Sequence, residues 1–268
     1  MEQFKETPQS HFLRNLLYFG LSLLLLVGLW SGYVLIQNLL HPGATVIPYP
    51  YEVFKDFFYL LFNPVDGLTL INHVLASLFR VFYGFMYAFV LGIGLGVLLA
   101  TNKYIDRITR PLIAMIRPIP PIAWIPFAII IFGLGLTSQG FIIFVGAFFP
   151  MLQNTYDGVR QSDRVYQDVA LSLGASKSQI AWDVILPSIV PNLLTGIRVS
   201  IGVGWMSVIA AEMMGISGDS GGVGYFINYM KDIGKYSYMI AGMMAIALVG
   251  LLIEFGFKIL EKKGLKWL

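Results

Sequence analysis

Residues 16–36 read LLYFGLSLLLLVGLWSGYVLI, and no charged side chain occurs between Arg14 and Glu52. At about 1.5 Å per residue such a run reaches roughly 30 Å, the thickness of a bilayer's hydrocarbon core. Polar Gln37 and Asn38 follow with no small-x-small cleavage signal before them, so the run reads as a retained span rather than a removed leader. The rest of the chain has the same character. Of 268 residues, 57% are apolar and 12% charged, against about 25% charged in an ordinary soluble domain. So little charge cannot cover a water-facing surface of this size, and an all-α integral membrane protein is expected.

Working outward, a second run covers about 74–100. Residues 118–156 are uncharged for 39 positions, too many for one crossing. Gly133-Leu134-Gly135 and Thr137-Ser138-Gln139-Gly140 divide them, which places spans at about 112–132 and 139–156. Two more are expected at about 188–214 and 237–259, giving six in a single domain over 1–268. Residues 38–72 hold His41-Pro42-Gly43, Pro48, Pro50, Asn63-Pro64 and Asp66-Gly67 around an aromatic segment, Tyr51 to Phe62, and read as an external loop with a surface helix.

An even number of spans puts both termini on one side. If that side is the cytoplasm, Lys5, Arg14, Lys103, Arg107, Arg110, Arg117, Arg160, Arg164, Lys177, Lys258, Lys262, Lys263 and Lys266 lie inside. Only Lys55, Lys231 and Lys235 then lie outside, the asymmetry that sets orientation. The net charge of +3 is therefore topological. A nucleic-acid role would need those cations gathered on one face, and they are scattered over short loops. Cysteine is absent, which removes disulfides, thiolate metal sites and thiol nucleophiles.

The span surfaces carry packing signals. Gly84, Ala88, Gly92, Gly96 and Ala100 recur every four residues, a stripe along which another helix can approach closely, and Gly196, Ser200 and Gly204 repeat the device. Gly92-Ile93-Gly94-Leu95-Gly96 sits inside an apolar span with no strand before it, so it reads as packing rather than a nucleotide loop. Pro118, Pro120, Pro121 and Pro126 require the third span to be kinked or partly unwound. Such a break needs protein or a watery cavity around it; shaping the bundle and lining a pathway both fit, with Pro121 and Trp124 as candidate lining residues.

Residues 157–187 form the longest internal loop. Val165, Val169 and Leu173 recur every four positions beside Tyr166 and Ala170, an amphipathic helix. Gly174 breaks it, and Ser176-Lys177-Ser178-Gln179 reads as a capping box opening a second short helix with Ile180, Ala181, Val184 and Ile185. Pro187 then begins the next span. On its residues alone this knob fits a helix resting on lipid headgroups or an element docking in a partner's groove.

Asp168-Val169-Ala170, followed by Gly174 and then by Val184, Leu186 and Pro187, resembles the Glu-Ala-Ala loop of permease subunits in binding-protein-dependent ABC importers. Its spacing from acidic residue to proline is kept, with Asp for the usual Glu and Val for the middle Ala and the later Ile. Arg117-Pro118-Ile119-Pro120-Pro121-Ile122-Ala123-Trp124-Ile125-Pro126, Phe132-Gly133-Leu134-Gly135, Gly196-Ile197-Arg198 and Ala211-Glu212-Met213 are similar to the nitrate, sulfonate, taurine and bicarbonate branch.

The resemblance implies a type I importer permease fold in a prokaryotic inner or plasma membrane. It also implies a coupling loop in which Asp168, Val169, Ala170, Gly174, Ala175, Val184, Leu186 and Pro187 meet a separate ATPase. The partners it implies are a second copy of the chain, two ATP-binding cassette subunits and an extracytoplasmic substrate-binding protein, besides membrane lipid. ATP and Mg would be bound by the ATPase, with no cofactor on this chain. The residues agree: no Gly-x-x-x-x-Gly-Lys-Ser/Thr loop occurs, and Gly234-Lys235 is followed by Tyr236 without the upstream glycine. Residues 216–236 read as an external segment, either meeting the binding protein or simply connecting spans.

Charges inside spans include Arg80 and Glu212 towards the outer ends, Glu254 towards the inner end and Arg198 near mid-depth. Such residues usually pair or face a pathway. Arg198, Trp205 and Glu212 are seven apart on one stripe and are the candidate pathway residues, with Arg198 either favouring a small oxyanion or tethering helices. No nucleophile–base pair or metal-ligand spacing appears, and His11, His41 and His73 are scattered, so no catalytic residue is assigned. The competing class is an ion-coupled secondary transporter.

Overall fold

The computed structural model describes residues 8–41, 47–162, 164–216 and 221–264. Lys5 and Lys266 of the inside set, Pro42 and Gly43 of the external loop, and 217–220 of the glycine-rich segment lie outside them. Eleven α-helices follow in order among the described residues: α1 Pro8–Leu40, α2 Pro50–Phe62, α3 Leu70–Thr101, α4 Lys103–Ile116, α5 Ile125–Phe132, α6 Leu136–Gln161, α7 Arg164–Ser172, α8 Lys177–Gln179, α9 Leu186–Met213, α10 Val223–Asp232 and α11 Tyr236–Gly264. A 3-10 turn at Pro121–Trp124 precedes α5, and a π-helical turn at Ile180–Ile185 joins α8 to α9. Among the described residues five helices are long and apolar enough to cross a membrane, and α4 with the Pro121–Phe132 segment, the two bent by 90°, counts as a sixth when the pair is taken as one span.

Helix α6 is the axis of the bundle, held between α3 and α9. The small residues of α3 explain the closeness on one side. A Cβ at Gly84 would sit 2.6 Å from Cβ of Ile143, at Gly92 2.9 Å from Cβ of Met151, and at Gly96 2.7 Å from Cβ of Thr155. No alanine fits at these distances, so the stripe is a condition of the α3–α6 contact. On the other side Gly196 of α9 lies against Asn154, and Ser200 Oγ donates to the Ala147 carbonyl at 2.8 Å. Val81, Ile143, Trp205, Val208, Ile209, Val223 and Ile227 then close a core shared by α3, α6, α9 and α10.

The span expected at 112–132 is two limbs. Helix α4 reaches back to Lys103, where Asn102 Oδ1 accepts from the N–H groups of Tyr104 and Ile105. It ends at Ile116, where Pro118, Pro120 and Pro121 withhold the donors a helix needs. The second limb packs Ile125 and Ala128 on Ile142, Ala211 and Ile216.

Helix α1 has the least contact with the rest. Leucines at 17, 24, 25 and 29 are exposed around its circumference, while Val34 is buried and Trp30 leans on the core of α2, α10 and α11. A helix apolar all round and barely packed is solvated by lipid. Helix α2 turns Val53, Phe57 and Leu60 onto Leu70, Phe226 and Met230. The segment after α9 contributes a packed helix: Val223, Phe226, Ile227 and Met230 of α10 are buried.

Candidate functional site

Two ends of the bundle carry the chemistry. At one, the chain between α6 and α9 folds back as a hairpin. Helix α7 stops because Gly174 adopts φ +85°, with the Ala175 N–H bonded to the Ala170 carbonyl at 3.0 Å and the Gly174 N–H to that of Leu171 at 2.9 Å. This double closure is the Schellman arrangement. The capping box then forms: Ser176 N–H donates to Gln179 Oε1 at 2.8 Å, and Gln179 N–H to Ser176 Oγ at 3.3 Å. From Lys177 the backbone stays helical through the π-turn into α9, whose second residue is Pro187.

This hairpin presents apolar side chains to the outside. Val165 is 61% exposed, Leu173 83% and Trp182 68%, and Tyr166, Val169 and Leu171 are also exposed. Asp168 and Gly174 are exposed, and Ala170, Ala175, Val184 and Pro187 are half-buried where the two limbs meet. Leu186 is exposed at the start of α9. The eight residues expected to couple thus gather on one compact element continuous with a membrane helix.

At the other end the charges are enclosed. Arg80 of α3 and Glu212 of α9 pair at 2.6 Å, with 5% and 0% of their side chains exposed. Ser77 Oγ lies 2.8 and 2.9 Å from the two Glu212 oxygens and accepts from the Val223 N–H at 3.0 Å. The Gly224 N–H donates to Glu212 Oε2 at 2.9 Å, and the Gly222 N–H to His73 Nδ1 at 3.1 Å. Arg80 also donates to the Gly221 carbonyl at 2.9 Å. A carboxylate therefore caps the positive end of α10, while the cation that balances it comes from α3.

Gly222 and Gly224 are what allow this approach. A Cβ on Gly222, whose φ is +125°, would lie 2.4 Å from Glu212 Cδ; one on Gly224 would lie 2.4 Å from the Ile209 carbonyl oxygen.

The stripe expected to unite Arg198, Trp205 and Glu212 divides among three partners. Glu212 belongs to the enclosed cluster. Trp205, also buried, donates Nε1 to the Ile246 carbonyl of α11 at 3.3 Å. Arg198 pairs with Glu261 of α11 at 3.3 Å, both partly exposed. Pairing across helices satisfies each polar group more cheaply than a common line along one helix. The pairing of Arg80 with Glu212 was missed, although the sequence places opposite charges at the outer ends of two spans. Their shared partner, the N-terminus of α10, has no sequence signal beyond the glycines at 221, 222 and 224.

Pro121 and Trp124 sit at the bend. A Cβ on Gly146 would find Pro121 Cγ at 3.2 Å and Ser207 Oγ at 2.5 Å, which places the bend against the middle of α6 and α9. The Trp124 ring packs on Phe127 and Phe141 with centroids 5.6 and 6.2 Å away, and the aromatic contacts continue along α6 through Phe144 to Phe148.

Residues 92–265 match the family described as binding-protein-dependent transport system inner membrane component. Over 212 residues the chain is 39% identical to a putative ABC transporter permease protein of Methanocaldococcus jannaschii, covering 78% of this chain and 79% of that one. It is 34% identical over 199 residues to the taurine transport system permease protein of Escherichia coli, covering 74% and 71%. With the bicarbonate transport system permease protein of Synechococcus elongatus it shares 36% over 245 residues, covering 87% and 85%. Among solved structures, the fold matches an inward-facing MetNI methionine ABC transporter with a TM-score of 0.64 at 20% identity, over 78% of this chain and 98% of that chain.

Proposed function

The chain belongs to the family of binding-protein-dependent transport system inner membrane components, and on that premise we propose that it is half of the membrane pathway of an ATP-driven importer for a small oxyanion such as nitrate, bicarbonate, taurine or another sulfonate. The hairpin carries this reading. Its exposed apolar residues suit a groove on a separate ATPase, and its unbroken helical path into α9 gives a motion imposed there a stiff route to α6 and to the enclosed cluster. ATP and Mg belong to that ATPase, since this chain has no phosphate-binding loop.

A second copy of the chain completes the pathway, opposite the bend at Pro121 and Trp124, and a substrate-binding protein delivers cargo at the outer face. The hairpin faces the cytoplasm, as do both termini: Lys103, Arg107, Arg110, Arg160, Lys258 and Lys262 lie at its end of the bundle, and Lys55, Lys231 and Lys235 at the other. Arg198 remains the cation offered to an anionic cargo, shared with Glu261 until the cargo arrives.

The test is uptake into proteoliposomes holding the chain, its ATPase and its binding protein. Labelled taurine, nitrate or bicarbonate is expected to accumulate only with ATP and all three components. Uptake driven by an ion gradient with this chain alone overturns the proposal in favour of a secondary transporter.

A further inference from the structure

Two cavities meet where α3 ends and α9 begins. One, of about 410 Å³, is walled by Lys103, Asp106, Arg160 and Ser162 together with Thr101, Val159 and Ile185. The other, of about 270 Å³, is walled by Val97, Trp182, Leu186 and Ile189 and by the same Thr101, Val159 and Ile185. Val97 lies one helical turn before Thr101, and Ile189 about one turn beyond Ile185. The apolar cavity thus reaches further along α3 and α9 than the polar one, which extends to Leu99 on α3, and the two share three walls.

Their electrostatics differ accordingly. Arg110 and Arg160 share the Asp106 carboxylate at 3.5 and 3.6 Å, and both guanidiniums hydrogen-bond the Tyr156 hydroxyl. Lys103 holds its ammonium 5.2 Å over the Tyr104 ring and has no carboxylate partner among the described residues. Of these, Lys103, Arg160 and Asp106 wall the polar cavity, two cations to one carboxylate, which leaves one positive charge in excess. The deeper cavity has only apolar walls apart from Thr101, whose hydroxyl is turned onto the Val97 carbonyl at 2.8 Å, and Trp182, exposed at its rim.

We infer that these adjoining cavities bind one anionic glycerophospholipid, its phosphate at Lys103 and Arg160 and an acyl chain along Val97, Trp182 and Ile189. A free anion would leave the deeper cavity without an occupant. A protein partner would have to reach past the helix ends to Val97 and Ile189. A zwitterionic headgroup brings its own cation to a place that is already positive. Ile185, in the π-turn between hairpin and α9, is a wall of both cavities, so a bound lipid braces the joint through which the hairpin acts. The inference rests on the proposed function only for the leaflet, the cytoplasmic one, from which the lipid comes.

The full chain in detergent, titrated with phosphatidylglycerol, phosphatidylcholine or inorganic phosphate and read by native mass spectrometry, tests it. Phosphatidylglycerol is expected to be retained over phosphatidylcholine and to resist displacement by excess inorganic phosphate. Lys103→Glu lowers phosphatidylglycerol affinity by about fivefold or more, the effect of charge on a lysine at an anionic surface. Lys103→Arg keeps that affinity, and Trp182→Ala weakens both lipids together. Because Lys103 is exposed and outside the core, its variants keep the melting temperature of the parent chain, which is recorded alongside.

Equal retention of the two lipids, an unaffected Lys103→Glu, or release by inorganic phosphate each overturns the inference. So does release of phosphatidylglycerol on adding the partner ATPase, which would make the cavity a protein interface. Uptake measured in parallel separates the two claims: selective lipid binding without uptake sinks only the proposed function, and uptake without selective binding sinks only the lipid site.

Discussion

The two ends of this bundle satisfy opposite halves of the same rule. At the end away from the hairpin the polar groups of α3, α9 and α10 are turned on one another, so that Arg80, Glu212, Ser77, His73 and three backbone N–H groups form an enclosed set. At the hairpin end apolar side chains are turned away from the chain, with Leu173 83% exposed. A buried charge without a partner and an exposed leucine facing water are both unfavourable, but only the first has been resolved within one chain. The difference marks the enclosed cluster as self-sufficient and leaves the apolar face of the hairpin open.

The largest expected effect comes from breaking the enclosed set. Glu212→Ala strands the Arg80 guanidinium and the N-terminus of α10 together, and is expected to cost about 3–5 kcal/mol in stability, read as a lowered melting temperature in detergent. Replacing both partners, Arg80→Leu with Glu212→Leu, should recover much of that loss, because no buried charge is left alone. A double variant no better than the single one would mean that the cluster's value lies in the bonds to α10 rather than in the ion pair.

Two glycines with positive φ set the ends side by side. Gly222→Ala meets both a forbidden backbone region and the Glu212 carboxyl, and is expected to cost about 3 kcal/mol. Gly174→Ala meets only the backbone penalty, since its Cβ would have nothing within 4 Å, and about 1 kcal/mol is expected. Equal losses in thermal denaturation would remove the steric contrast between the ends. The hairpin should instead show its weight in assembly. Leu173→Asp, at an exposed position, is expected to change stability by about 0.5 kcal/mol or less while lowering ATP-dependent uptake tenfold or more, about 1.4 kcal/mol of lost docking.

What was legible in the sequence follows from the range of each interaction. The capping box at Ser176–Gln179 and the turn at Gly174 depend on residues within a few positions of one another, and each appears where the residues put it. The bend was legible as prolines, but its 90° angle was not, because the angle is set by how Ile125 and Ala128 pack on α6 and α9. The enclosed cluster was the least legible. Arg80 and Glu212 stand 132 positions apart, and period alone tied Glu212 to Arg198 and Trp205 on its own helix. The glycines at 221, 222 and 224 read as a loop because their purpose, admitting a carboxylate to a helix end, exists only after α10 has folded against α9.

The smallest expected effect is also the sharpest test of the boundary between architecture and function. Arg198 and Glu261 are 3.3 Å apart with side chains 30% and 26% exposed, a pair whose stability value is held to about 1 kcal/mol or less by water and salt. If the pair only tethers α9 to α11, Arg198→Gln and Glu261→Gln remove the same contact and should cost the same small amount, with uptake unchanged in both. If Arg198 is offered to an anionic cargo, the two variants must separate: Arg198→Gln lowers uptake several-fold, whereas Glu261→Gln frees the guanidinium and leaves uptake equal or raised. Uptake by both variants at the parent rate would place Arg198 with Arg80, as a cation that the fold keeps for itself.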